Sequence, residues 1–71
     1  MILTVNNMER TVDPEVTVGT IVRELTAPDG GEAPGGIAVA VNDEVVRRTA
    51  WTTTRLRPGD RVDVLTAVQG G

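Results

Sequence analysis

Apolar and polar residues alternate at the start of the chain. In Ile2-Leu3-Thr4-Val5-Asn6, Leu3 and Val5 fall on one face and Thr4 and Asn6 on the other, which is the period of a half-buried strand. Asn6-Asn7 is a turn signal, because Asn tolerates the left-handed backbone region. Glu9-Arg10-Thr11-Val12 then reads as a second strand, completing a hairpin that Asp13-Pro14 closes off. The period changes next: Val18, Ile21, Val22 and Leu25 stand at i, i+3, i+4 and i+7, one face of a helix. The expected helix runs from Val18 to Leu25, with Thr17 as its N-cap. Gly19 and the β-branched residues around it make that helix weak in isolation, so it needs a sheet to pack against.

Residues 26–36 hold two prolines and four glycines and read as a polar loop. Asp29 and Glu32 within it are too few for calcium, which takes about six to eight oxygens, so the loop reads as a solvated connector. Ile37-Ala38-Val39-Ala40-Val41 is a continuous apolar run, expected to be a strand covered on both faces. Asn42-Asp43 is a turn and Glu44-Val45-Val46 a short strand; Thr49-Ala50-Trp51 is less regular. Arg57-Pro58-Gly59-Asp60 is a turn with Pro presetting φ, and Arg61 to Ala67 is the last strand. The pattern is therefore ββα, a loop, ββ with irregular pieces, and β. One helix among about five strands must lie across one face of the sheet to cover both apolar surfaces.

Composition narrows what such a domain can do. At 71 residues the chain is one domain with a small core. It lacks cysteine, so neither a disulfide nor a thiolate metal site is expected, and no metal site is assigned. Ser, His, Lys and Tyr are also missing, which removes most nucleophiles and most acids and bases active near neutral pH. The seven basic residues are all arginine, scattered apart from Arg47-Arg48 and Arg55-x-Arg57, and the net charge is −3. With Trp51 as the one aromatic residue, there is no basic stacking surface for nucleic acid. No apolar run is long enough to span a membrane, and no signal peptide is apparent, so a cytoplasmic protein is expected.

Several residues carry further information. Trp51 reads as a core or edge anchor, the alternative being a docking surface. Asp60 and Asp63 invite an acid/base reading, but neither has an obvious partner, and both read as structural or solvated. In the last strand Val62 and Val64 suit the helix side, so Leu65 points to the uncovered side. Beside Ala67 and Val68 it would form a small apolar patch. The chain then closes on Gln69-Gly70-Gly71. Two glycines make the narrowest possible peptide, and Gly71 presents an unhindered carboxylate that can reach down a slot in another protein. Fraying is the plain reading of such an end.

Taken together, these residues resemble the sulfur-carrier proteins of thiamine biosynthesis of the ThiS type. The features in common are Ala38-Val39-Ala40-Val41-Asn42, then Val46-x-Arg48-x-x-Trp51, then Gly59-Asp60, and finally Ala67-Val68-Gln69-Gly70-Gly71. Three features depart from the family: Arg47 where Pro is common, Asp63 where an apolar residue is common, and a longer 28–36 loop. The resemblance implies an α+β, ubiquitin-like β-grasp fold: a mixed sheet of about five strands, first and last side by side, with one main helix packed across one face. It implies a domain over residues 1–67 and a flexible Gly-Gly tail over 68–71. It implies a carrier and not an enzyme. An adenylating, E1-like enzyme using ATP with Mg activates Gly71, a sulfur donor such as a cysteine desulfurase supplies the sulfur, and the resulting thiocarboxylate serves thiazole synthase. Gly70, Gln69 and Val68 would then thread the partner's channel, and Leu65, Ala67 and Arg48 are candidate docking residues. The chain itself is expected to bind no cofactor and to be a monomer when free. A sulfur carrier of another pathway (molybdopterin-synthase small subunit, cysteine or tRNA thiolation), a ubiquitin-like modifier of lysines, and a plain interaction domain are the rival readings.

Overall fold

The alternation at the chain start does fold as a hairpin. The structure is a computed structural model that describes residues 1–26 and 35–66. Strand β1 (Ile2–Val5) pairs antiparallel with β2 (Met8–Thr11), Val5 opposite Met8. The expected second strand, Glu9–Val12, is thus displaced by one residue. Asn6 and Asn7 both have positive φ, 51° and 69°, forming a two-residue turn whose twist matches the hairpin and which closes directly on Met8. Asn42 and Asp43, at 50° and 71°, repeat the device between β3 (Ile37–Val41) and β4 (Glu44–Val46).

Helix α1 (Val18–Thr26) begins where the cap was expected, with the Thr20 amide donating to Thr17 Oγ1 at 3.3 Å. Two further amides of its first turn donate to the segment that precedes the last strand: Val18 to Thr54 O at 3.0 Å and Gly19 to Trp51 O at 2.9 Å. Helix starts leave such donors without intrahelical partners, and here they fasten α1 to that segment. At the other end, the Thr26 hydroxyl donates to Val22 O at 2.7 Å, extending the helix one residue past the expected Leu25.

Strand β5 (Arg61–Thr66) runs parallel to β1 and antiparallel to β3, giving the sheet order β2-β1-β5-β3-β4. First and last strands do lie side by side, as a β-grasp sheet requires. Leu3, Val5, Val39, Val62 and Val64 project from one face onto Val18, Ile21 and Val22 of the helix, and all are buried. Trp51 and Leu56 close the core from the long connection before β5.

Two expectations fail on this face assignment. Strand β3 is not covered on both faces: Val39 is buried, Ala38 is exposed and Ala40 half-exposed. Among the described residues one helix faces the sheet, so the alternate residues of every strand remain uncovered. Leu25 is also not core, at 38% exposure. It sits in the last helical turn, where it lines an open groove with Val5 and Met8. The expected boundary at residues 67/68, the tail and most of the 26–36 loop lie outside the described residues.

Candidate functional site

Strand register decides which residues gather where β5 ends. Thr66 pairs with Ile37 at the start of β3, and Val64 pairs with Val39, which pairs in turn with Val46 at the end of β4. The end of β5, the start of β3 and the exit from β4 therefore share one end of the sheet. Residues 67–71 follow from that end, and so do Arg47 and Arg48. The expected tail residues Ala67, Val68, Gln69, Gly70 and Gly71 lie outside the described residues.

Leu65 falls on the face away from the helix and is 67% exposed. Its partner across the ladder is Ala38; the next row joins Asp63, Ala40 and Val45, and Val45 is 79% exposed. Leu65, Ala38, Ala40 and Val45 make a diagonal apolar stripe across β5, β3 and β4. The sequence reading anticipated Leu65 but missed Ala38 and Val45. Val45 alternates with the half-buried Val46, which signals an outward side chain, but only the register brings it toward Leu65.

Arg48 opens a 3-10 turn, Arg48–Ala50, that leads into Trp51. Its guanidinium lies 5.1 Å from the centre of the Trp51 ring, a cation–π contact. The indole is 5% exposed and donates from Nε1 to Val46 O at 3.0 Å. Trp51 is therefore a core anchor, as expected, and it also fixes where Arg48 stands. The order Val46-x-Arg48-x-x-Trp51 has a physical reading: strand end, cation, and the ring that holds both.

Asp60 and Asp63 take structural places rather than catalytic ones. Asp60 accepts from Asn42 Nδ2 at 2.9 Å and from the Arg57 amide at 2.8 Å, while Asn42 Oδ1 accepts from the Arg61 amide at 3.0 Å. This ties the β3–β4 turn to the start of β5. Arg61 hydrogen-bonds Asp43 and lies 3.4 Å from Asp63. The Asp43 hydrogen bond, then the charges of Asp43 and Asp63, raise the Arg61 guanidinium above its ordinary pKa. Asn6 was read as a turn residue and does more: its Oδ1 accepts from the Val64 amide at 2.8 Å. It thereby continues the β1–β5 ladder where β1 stops. Both Asn roles join residues far apart in sequence, so local pattern gave no sign of them.

Among the described residues no cluster of three or more acidic, His or Cys side chains could hold a metal ion. An open depression of about 700 Å³ beside Asp13, Glu15, Thr20 and Glu24 brings no nucleophile or converging donor set together. No described helix is long and apolar enough to cross a membrane.

Comparison with known proteins adds what the geometry leaves open. The model of the ThiS family matches residues 3–71. The crystal structure of a thiamine biosynthesis protein (ThiS) from Geobacter metallireducens is 32% identical, covers 100% of both chains and superposes with a TM-score of 0.74. The solution structure of a thiamine biosynthesis protein from the same organism is 31% identical over 100% of this chain and 88% of that one, with a TM-score of 0.73. SAMP1 from Haloferax volcanii, 23% identical over 89% of this chain and 78% of that one, has a TM-score of 0.58, a likeness of fold. No curated protein matches.

Proposed function

The chain belongs to the ThiS family, and we propose that it carries sulfur as a thiocarboxylate on Gly71 for thiazole formation in thiamine biosynthesis. The observation that carries this reading is the family match running through residue 71, and so through Gly70-Gly71. The absence of Ser, Cys, His, Lys and Tyr supports a carrier whose chemistry is done by partners.

The chemistry follows from what a carboxylate lacks. Its leaving group would be oxide, so sulfur cannot displace it directly. An adenylating partner joins the Gly71 carboxylate to AMP from ATP and releases pyrophosphate. A sulfur nucleophile then attacks the acyl carbon as AMP leaves. Where that nucleophile is a persulfide, the product is an acyl disulfide, and two electrons from a thiol release the thiocarboxylate. Thiazole synthase receives the sulfur. In this reading Gly70 keeps the approach to the carbonyl free of side chains, and Gln69 and Val68 thread the partner's channel. ATP and its Mg belong to the partner; this chain needs no cofactor.

Docking in this reading uses the stripe headed by Leu65. An exposed leucine backed by Ala38 and Ala40 offers apolar area without a rim of charge on β3, and it stands directly before the tail. Arg48, held in place by Trp51, supplies a cation at the same end of the sheet for an acidic group of the partner, and Ala67 would extend the apolar surface. The test is intact-mass analysis after incubation with ATP, a thiamine-type adenylating enzyme and a sulfur donor. Replacement of one oxygen by sulfur at Gly71 is the expected result.

A further inference from the structure

The net charge of −3 conceals a division of charge around the helix. Arg23 follows Gly19 by one turn, on the flank of α1 that approaches Trp51, whose ring carries Arg48. The opposite flank, between α1 and β2, carries Glu24 against Arg10, with Asp13 and Glu15 beside them, and Glu9 adds a carboxylate on the other face of β2, opposite Thr4. A groove of about 280 Å³ runs there, lined by Val5, Met8, Arg10 and Leu25. Met8 is 72% exposed and Leu25 38%, so the groove displays two large apolar side chains on the side of the sheet opposite Leu65.

Main-chain groups lie open along the same groove. β2 is an outer strand of the sheet. The Met1 ammonium donates to Val12 O at 2.7 Å and the Val12 amide donates to Met1 O at 2.8 Å, so the two residues form a hydrogen-bonded pair. The antiparallel alternation then turns Arg10 and Met8 toward β1, and the N–H and C=O of Glu9 and Thr11 outward. Inside the groove, Arg10 Nη1 is buried without a hydrogen-bond partner; Glu24 Oε1 stands 3.9 Å away. A buried donor left in this state favours any acceptor that reaches it.

We propose that the β2–α1 groove is a second docking surface, taking an extended, basic and aliphatic segment of a partner protein as an added strand on β2. Its main chain pairs with Glu9 and Thr11, and a carbonyl from it or beside it accepts from Arg10 Nη1. Strand alternation puts its aliphatic side chains toward Met8 and Leu25 and its basic ones toward Glu9, with Glu24 at the groove's rim. An outer strand is a template for such pairing. The surface is independent of the tail and of Leu65, so a partner could hold the domain here while another engages Gly71. It does not rest on the carrier chemistry and is tested without it.

The test is a titration of ¹⁵N-labelled protein with the peptide acetyl-Val-Lys-Val-Lys-Val-amide, with a Val/Glu twin as control. Saturable shifts of the Glu9 and Thr11 amides and of the Met8 and Leu25 methyls are expected, with weaker binding of the acidic twin by about ten-fold or more. Thr11→Pro removes an outward N–H that β1 does not use, and should weaken binding by about ten-fold. Met8→Ser, at an exposed position, should do the same and carries the test if Thr11→Pro perturbs the fold. Shifts centred on Leu65 and Val45, equal binding of the two peptides, or no saturable shift would overturn the proposal. So would a dimer in sedimentation that Thr11→Pro dissolves, since a second copy would then be the occupant.

Discussion

Val64 and Leu65 are neighbours in β5, and the same substitution should have opposite consequences at each. Val64 is 7% exposed and faces the helix, whereas Leu65 is 67% exposed on the other side. A 71-residue domain has about 4–11 kcal/mol of stability at about 0.05–0.15 kcal/mol per residue. Val64→Asp forfeits about 1.5–3 kcal/mol of burial and adds several kcal/mol for a carboxylate withdrawn from water. That sum rivals the whole stability, so the variant should be largely unfolded at room temperature. Leu65→Asp forfeits only about a third of a leucine's burial, about 0.5–1 kcal/mol, plus up to about 1 kcal/mol for a poor strand former. It should stay folded, with a melting temperature lower by about 2–16 °C at about 4–8 °C per kcal/mol. Urea unfolding followed by far-ultraviolet circular dichroism reads stability, and affinity for a thiamine-type adenylating enzyme reads docking. Leu65→Asp should lose at least about ten-fold in affinity, or about 1.4 kcal/mol. Unfolding of Leu65→Asp would refute the face assignment. A folded Leu65→Asp with unchanged affinity would refute the docking role.

Three further substitutions test other parts of the account. Trp51→Phe removes the indole N–H that Val46 O accepts and some buried volume, and should cost about 2–3 kcal/mol; a loss under about 0.5 kcal/mol in urea unfolding would contradict its anchoring role. Gly19→Ala should stabilise the protein by about 0.5–1 kcal/mol, because the new Cβ would meet Trp51 backbone atoms at 3.5 Å and Thr52 Cγ2 at 3.6 Å, ordinary contacts; a lower melting temperature would show that the helix cannot bear that contact. Gly70→Val should abolish charging with ATP and sulfur donor while leaving the melting temperature unchanged; normal thiocarboxylation of this variant would sink the steric case for the glycine.

Local pattern revealed the elements, and long-range pairing decided their surfaces. The helix, its Thr17 cap and the two Asn-led turns were legible because each depends on residues within one turn of chain. Val39 and Ala38 show where legibility stopped. An apolar run of five residues is the same string whether a second layer covers it or not, and here Ala38 and Ala40 face outward. Leu25 fits the helical period yet stays exposed in the open groove beside Met8, which period cannot reveal. Asn42 bonding Asp60, and Asn6 bonding the Val64 amide, span 18 and 58 residues; no spacing rule finds them. Of the candidate site, Leu65 was found by strand alternation and Arg48 by its place before Trp51. Val45 required knowing that β4 pairs with β3. The role of Gly71 rests on its chemistry and on the family resemblance, and one direct measurement tests it.

That measurement is the intact mass of the protein after incubation with ATP, a thiamine-type adenylating enzyme and a sulfur donor. A shift corresponding to one oxygen replaced by sulfur, lost on deletion of Gly71, is the predicted result. An unchanged mass with a partner set verified on another carrier would contradict the sulfur-carrier account, and gel-shifted covalent adducts with other proteins would replace it with a modifier.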